Sequence, residues 1–273
     1  VTHADQRAGV REEYPILVHA QNAIEIIEVK NFNDLMNELT LPDNCCGHFV
    51  YRGVPSKDFD LKPSVGRLTP SALGGMALAD FESESLNRFK LRSNALIKNT
   101  PGNDWEWLAL AQHHGLPTRL LDWSNSPLIA AYFATEPKLN AIGSIEPIGI
   151  SGSAIYLMHT CNYKDINSLC QNPFVCPEHG IFYAPHLTQR ITGQSGLFSF
   201  QPDPSKSFDE VFLSPPQNTI KKLVLDHSAS NEVQKKLYGL GIRHSTIYPD
   251  LDGISKELRI SNNFSECHMR NCE

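Results

Sequence analysis

Apolar positions along the chain follow two periods. Alternation with period two marks a strand at 23–29 (AIEIIEV) and another at 48–53 (HFVYRG). In the second, Phe49 and Tyr51 fall on one face and Val50 and Arg52 on the other, and Gly53 closes the run. Further strands are predicted at 154–158 (AIYLM), 180–185 (GIFYAP), 220–227 (IKKLVLDH) and 244–253 (HSTIYPDLDG). RITGQSGLFSFQP (190–202) reads as a turn feeding a strand. Helical spacing predicts a short helix to Leu39, capped by Asn31 or Asn33, and an amphipathic helix over 78–97. A further helix is predicted at 228–241, capped by Ser228 or Ser230 and stopped at Gly239 or Gly241. DGISKELRI (252–260) predicts a last short helix, and residues 159–180 read as an irregular insertion.

The densest stretch is Trp105 to Ala134 (WEWLALAQHHGLPTRLLDWSNSPLIAAYFA). An apolar helix breaks at Gly115-Leu116-Pro117. A second helix starts at Ser126, a good N-cap, with Pro127 in the first helical position. Between them, a short segment presents His113, His114, Arg119, Asp122 and Ser124 close together. Two apolar helices flanking polar groups position those groups rigidly, which is what a site needs.

Strands and helices mix without a regular βα repeat. The expectation is an α+β single domain of short mixed strands with flanking helices. Residues 1–22 read as a polar leader, 23–260 as the domain and 261–273 as a frayed tail. With 41% hydrophobic residues the chain can build a sizeable core. A net charge of -6 and no basic run argue against a broad phosphate-tracking surface. No run of 18 apolar residues predicts a membrane span, and the first residues lack a signal-peptide core. Seven cysteines, an odd number in a chain of this size, suggest free or buried thiols and a reducing, cytoplasmic setting. Neither Cys161, Cys170, Cys176 and His179 nor Cys267, His268 and Cys272 has a zinc-like spacing, so no metal is expected.

Each polar group has a structural alternative. Arg52, at the end of an apolar strand, suits an oxyanion in a cleft or a buried Asp. His113 and His114 at a helix C-terminus are favourable for dipole reasons alone. Arg119 among apolar neighbours must be paired, which favours an internal ion pair. Asp122 and Ser124 stand at the mouth of a helix, where anions bind, whereas Ser126 reads as a cap. The loop Tyr248–Gly253 falls short of a calcium-binding pattern and reads as a strand exit and helix cap. No GxSxG, HExxH, P-loop or GxGxxG occurs, which weighs against several common enzyme classes.

Phe49-Val50-Tyr51-Arg52-Gly53, LKPSVGR (61–67), LALAQHHGLPTRLLDWSNSPLIAAYFA (108–134), QSGLFS (194–199) and IYPDLDG (247–253) together resemble the FRG domain family, named for its Phe/Tyr-Arg-Gly motif. The order of these motifs also resembles ADP-ribosyltransferases of the Arg-Ser-Glu type. In those enzymes a strand ends in Tyr-Arg-Gly, and a second strand with Ser runs into a helix with small and aromatic residues. Here Tyr51-Arg52-Gly53 resembles the first motif. Asp122-Trp123-Ser124 leading to Ala130-Ala131-Tyr132-Phe133-Ala134 resembles the second. The third strand of that class carries a catalytic Glu, and its counterpart here, Gln194-Ser195-Gly196-Leu197-Phe198, carries none.

The resemblance implies an ADP-ribosyltransferase-like fold and NAD as substrate. Arg52, Asp122 and Gln194 would be catalytic. Tyr51, Arg52, Gly53, His114, Trp123, Ser124 and Tyr132 would hold the dinucleotide. Arg52 would take the pyrophosphate, Tyr132 or Trp123 would stack on nicotinamide, and Asp122 or Gln194 would bind the ribose hydroxyls. The implied setting is a bacterial or phage-encoded toxin or defence effector. Its acceptor would be a nucleic acid, RNA included, or a protein, and its partner a neutralising antitoxin. The other readings are a non-catalytic nucleotide- or peptide-binding module, with Arg52, Arg119 and Asp122 in one buried network, and an NAD glycohydrolase.

Overall fold

The structure, a computed structural model, describes residues 24–40, 49–97, 99–146, 151–160, 165–184, 196–212 and 220–269. The elements run β1 (Glu25–Val29), α1 (Phe32–Leu39), β2 (Phe49–Val54), α2 (Leu78–Ser93), α3 (Asp104–His113), β3 (Leu120–Ser124), α4 (Pro127–Ala134) and β4 (Ser153–His159). There follow α5 (Ile166–Leu169), β5 (Gly180–Phe182), β6 (Gly196–Phe200), α6 (Phe208–Phe212), β7 (Ile220–Leu225), α7 (His227–Gly239), α8 (His244–Ile247) and α9 (Leu251–Met269). This is the mixed single-domain architecture the patterning predicts.

The strands form one seven-stranded sheet in the order β1-β7-β4-β2-β3-β6-β5. β1 and β7 are parallel and the other pairs antiparallel. The pairing is uneven. β2 matches β4 over six residues and β3 matches β6 over five, but β2 and β3 share only Tyr51↔Ser124. The sheet is therefore two halves hinged at one residue pair.

Each half has its own helical cover. Ile155, Leu157, Leu223 and Leu225 pack with Ile129, Ala130 and Ala131 of α4 and Ala229, Val233 and Leu237 of α7. On the second half, Leu120, Phe198 and Phe200 pack against Trp105, Leu108 and Ala109 of α3 and Leu86 of α2. A third cluster with Val50, Leu121, Trp123, Tyr156 and Leu197, closed by Leu61 and Phe208, runs under both halves. Gly53 lets α4 lie directly on β2, since a Cβ there would sit 1.8 Å from the Ala130 carbonyl oxygen.

Local chemistry sets the element ends. The Asn31 side chain accepts from the Asp34 N–H at 2.9 Å and caps α1. Asn103 does the same for α3 through the Glu106 N–H at 3.0 Å, and Gly115, at φ 87°, ends the turn that follows α3. Ser126 caps α4 through the Ile129 N–H.

Four expectations are corrected. First, LLDWS, which the hydrophobic pattern leaves as a connecting segment, is a strand, in line with the second motif of the resemblance. Both of its faces are largely buried, so no alternation shows in the sequence. Second, 244–247 is a helical turn rather than strand. Thr246 Oγ1 accepts from the Arg243 N–H at 3.0 Å, a local bond that favours a turn over a ladder, and Glu257 of the last helix accepts from the Ser245 N–H at 2.9 Å. Third, Asp226 caps α7 in place of Ser228 or Ser230, accepting from the Ala229 N–H at 2.8 Å. Fourth, the last helix runs on to Met269 through the segment expected to fray.

The cysteine reading also changes. Cys170 and Cys176 form a disulfide with Cα atoms 5.7 Å apart, where free or buried thiols are expected from spacing alone. Cys45, Cys46 and Cys161 lie outside the described residues. Among the described residues no group of three or more His, Cys, Asp or Glu is placed to hold a metal ion, and no helix is long and apolar enough to cross a membrane.

Arg119 is internal and paired as expected, but its partner is Glu82 rather than Asp122. Nε and Nη2 donate to the two carboxylate oxygens at 2.9 and 2.5 Å, and Nη1 to the Pro173 carbonyl at 2.9 Å. The guanidinium also lies over the rings of Phe174 and Phe200. Burial pushes the Glu82 carboxyl above its ordinary value against the pull of Arg119. A buried pair of this kind adds little net stability while intact, yet losing one partner strands the other. Arg119→Ala should therefore cost about 3–5 kcal/mol in urea denaturation. A variant of unchanged stability would contradict this structural role.

Candidate functional site

A cleft of about 250 Å³ opens where β2 and β3 part. Its walls come from both half-sheets and both helical covers: Tyr51, Arg52 and Gly53 of β2, Asp122, Trp123 and Ser124 of β3, and Gly196, Leu197 and Phe198 of β6. Gln112 and His113 of α3, Phe133 of α4 and Tyr248 complete it. Neighbouring residues on a strand point to opposite faces, and both kinds line the cleft. The cleft thus enters the sheet rather than lying across one face.

Arg52 and Asp122, seventy positions apart, meet at its centre. Arg52 Nη1 donates to the Asp122 carboxylate at 2.6 Å and to the Asp122 carbonyl at 2.7 Å. Gln112 Nε2 donates to the same carboxylate oxygen, Oδ1, at 3.3 Å. No other side chain among the described residues donates to Oδ2. Arg52 Nε is buried and makes no hydrogen bond among the described residues. Leaving a buried donor bare costs about 1–3 kcal/mol.

The Asp122 carboxyl lies below its ordinary value. Enclosure by the cleft walls raises it, but the Arg52 charge and the Arg52 and Gln112 hydrogen bonds outweigh that. Its side chain is 56% exposed, so it is ringed by protein yet open toward the cleft. A carboxylate in that state is charged at neutral pH and reachable by a ligand.

The predicted residues divide clearly. Arg52, Asp122, Tyr51, Gly53, Trp123 and Ser124 all line the cleft. Trp123 is held, however: it is 3% exposed and its Nε1 donates to Ser199 Oγ at 2.8 Å, so its indole is not presented to a ligand. Ser124 Oγ accepts from the Ser126 N–H at 3.0 Å, which orders the entry to α4. Gln194 lies outside the described residues; Gly196, two positions on, pairs with Ser124.

Two expected residues lie elsewhere. His114 is exposed and stacks on Phe89, and its neighbour His113 faces the cleft instead. Tyr132 is 4% exposed, and its hydroxyl lies 2.6 Å from His244 Nδ1, behind α4. Phe133, one position on, takes the place at the cleft. Its ring meets that of Tyr248 edge-on at 6.4 Å. The helical step of about 100° per residue separates these neighbours, and the apolar sequence gives no hint which of the two faces the cleft.

The YPDLDG segment also resolves. Tyr248 reaches the cleft, and Asp250 accepts from the Gly253 N–H at 2.7 Å at the start of α9. Gly253 lets that helix touch the Tyr248 carbonyl, since a Cβ would sit 1.8 Å from its oxygen. Gln112, His113, Phe133, Gly196, Leu197, Phe198 and Tyr248 are the cleft residues to which sequence reasoning gives no site role.

Residues 47–141 match the model of the FRG domain, and the chain carries an FRG domain over that stretch. The matched stretch runs from β2 through α4, and so holds Arg52, Gln112 and Asp122. β4, β6 and β7, which flank or extend its strands, lie outside it. No curated protein and no solved structure matches the chain.

The Tyr132–His244 contact carries a pH signature. Burial lowers the His244 pKa to about 4, with the Lys256 charge adding to it and Glu136, Glu257 and Asp250 opposing it. Burial raises the Tyr132 phenol, so it stays protonated and donates to a neutral imidazole. An unfolded histidine titrates near about 6.5. The unfolded state therefore binds the proton first, and stability is lost as pH falls from about 6.5 through about 4. Urea midpoints should decline over that window, and the decline should be shallower in His244→Asn. Parallel curves for the two proteins would contradict it.

Proposed function

We propose that this chain is an NAD-consuming enzyme of the ADP-ribosyltransferase type. The observation that carries the reading is the Arg52–Asp122 pair: it joins the two half-sheets, leaves Asp122 Oδ2 without a side-chain donor, and stays partly exposed in an aromatic-walled cleft. Guanidinium nitrogens suit a pyrophosphate oxygen, since they bind oxyanions directionally and remain charged. Phe133 and Tyr248 offer the ring faces that a nicotinamide needs, the role expected of Tyr132 or Trp123. Asp122 Oδ2 suits a ribose hydroxyl.

The chemistry follows. The bond between ribose C1 and the nicotinamide nitrogen breaks, and its electron pair stays on nitrogen. The pyridinium leaves as neutral nicotinamide and positive charge moves onto the ribose ring, as in glycoside cleavage. The charged Asp122 carboxylate opposes that charge where it develops. An acceptor nucleophile then bonds to C1 and gives its proton to a base. The acceptor, in this reading, is a nucleic acid or a protein. The resemblance set out above supports a toxin or phage-defence role with a neutralising protein partner. Gln194 would orient the ribose without acting as a base.

The test is nicotinamide release beside NAD calorimetry. Arg52→Lys keeps the charge but removes Nε and the fork. It should weaken NAD binding by about one to two decades, the loss of one charge-assisted bond. Asp122→Asn keeps the shape and loses the charge, so binding should persist while turnover falls by about 10²–10³. Wild-type protein that binds no NAD, with or without nucleic acid or cell lysate as acceptor, would leave a non-catalytic binding module instead.

A further inference from the structure

The Asp122 carboxylate is set by more than Arg52. Behind it runs a chain of hydrogen bonds whose direction is fixed at every link. An ionised carboxylate only accepts, so the amide of Gln112 must turn its NH₂ end to Asp122 Oδ1, at 3.3 Å. Its carbonyl end, Oε1, then accepts from the Thr118 hydroxyl at 2.5 Å. That hydroxyl has spent its proton and accepts from the Leu120 N–H at 3.2 Å. Thr118 is itself clamped: its N–H donates to Ser64 Oγ at 3.0 Å, and its carbonyl accepts from the Ser64 hydroxyl at 3.2 Å. Thr118 is 1% exposed, so this anchor does not exchange freely with water.

We infer that Gln112 is a positioning residue that holds the Asp122 carboxylate with Oδ1 toward the protein and Oδ2 toward the substrate. The geometry supports it in two ways. Both side-chain donors to Asp122, Arg52 Nη1 and Gln112 Nε2, converge on Oδ1. A single donor fixes a carboxylate's position but lets it swing about χ2, a broad torsion; a second donor from another element stops the swing. Gln112 also ties α3, which covers the second half-sheet, to the strand that borders the gap. The orientation of Asp122 thus depends on both halves being seated. Its consequence for turnover rests on the enzyme reading above, whereas its consequence for Asp122 itself does not.

Three variants test this, first checked for unchanged urea midpoints. Gln112→Glu keeps the acceptor for Thr118 but sets a second carboxylate beside Asp122. The Asp122 titration, followed by ¹³C NMR of labelled aspartate, should then rise by about one unit or more. Gln112→Met fills the same space with no polar end. It should lower kcat for nicotinamide release about tenfold and leave KM for NAD within about twofold, since Arg52 is untouched. Thr118→Val removes the anchor and should move kcat in the same direction by less. An unchanged Asp122 titration in Gln112→Glu would overturn the assignment, as would an unchanged kcat, or a KM change alone, in Gln112→Met. If the wild type releases no nicotinamide, the enzyme reading fails, and the ¹³C titration still decides whether Gln112 holds Asp122.

Discussion

Strands β2 and β3 meet at one residue pair, Tyr51 and Ser124, and then part. The rest of the structure depends on that constraint. A parted pair leaves backbone groups without ladder partners, and a compact protein tolerates this only where other groups satisfy them. Here a side chain takes the place of ladder bonds: Arg52 Nη1 binds the Asp122 carbonyl as well as its carboxylate. α4, pressed onto β2 at Gly53, and α3, seated over β3 and β6, hold the halves from the same side and leave the gap between them. The cleft is therefore a consequence of topology, and its polar centre is the bridge that the topology requires.

Two ion pairs in the chain show how burial separates structure from function. Arg119 and Glu82 are 3% and 1% exposed, and every guanidinium nitrogen has an acceptor. Nothing is left over for a ligand. Arg52 and Asp122 are 20% and 56% exposed, and the pair is satisfied on one edge only. Ion pairs open to water contribute about 0–1 kcal/mol, so this bridge sets the geometry of the gap more than it adds stability. That open edge is the feature on which the proposed anion-binding role of Arg52 rests.

Much of this was legible in the sequence. The alternation of FVYRG places Arg52 on a strand, although β2 runs on past Gly53 to Val54 instead of ending there, and the apolar run LLDW demands a partner for Arg119. The broken helix at Gly115 and the Ser126 cap were readable from local chemistry, because their bonds span three or four residues. What was hidden depended on distant contacts. No local pattern says that Arg119 pairs with Glu82 and Arg52 with Asp122, because charge requires a partner without naming it. The choice between His113 and His114, or Tyr132 and Phe133, is a matter of helix rotation, and an apolar helix buried on most sides has no polar stripe to reveal it. The strand LLDWS escaped for the same reason, since both its faces are largely covered.

The measurement that tests the account most directly is a structure of the protein with a carbocyclic NAD analogue, whose bond to nicotinamide cannot ionise. The account predicts that the analogue enters the gap between β2 and β3. A pyrophosphate oxygen should lie about 2.7–3.2 Å from Arg52 Nε or Nη2, and a hydroxyl of the nicotinamide-side ring at Asp122 Oδ2. An analogue bound elsewhere on the protein, or bound with no contact to either Arg52 Nε or Nη2, would contradict it.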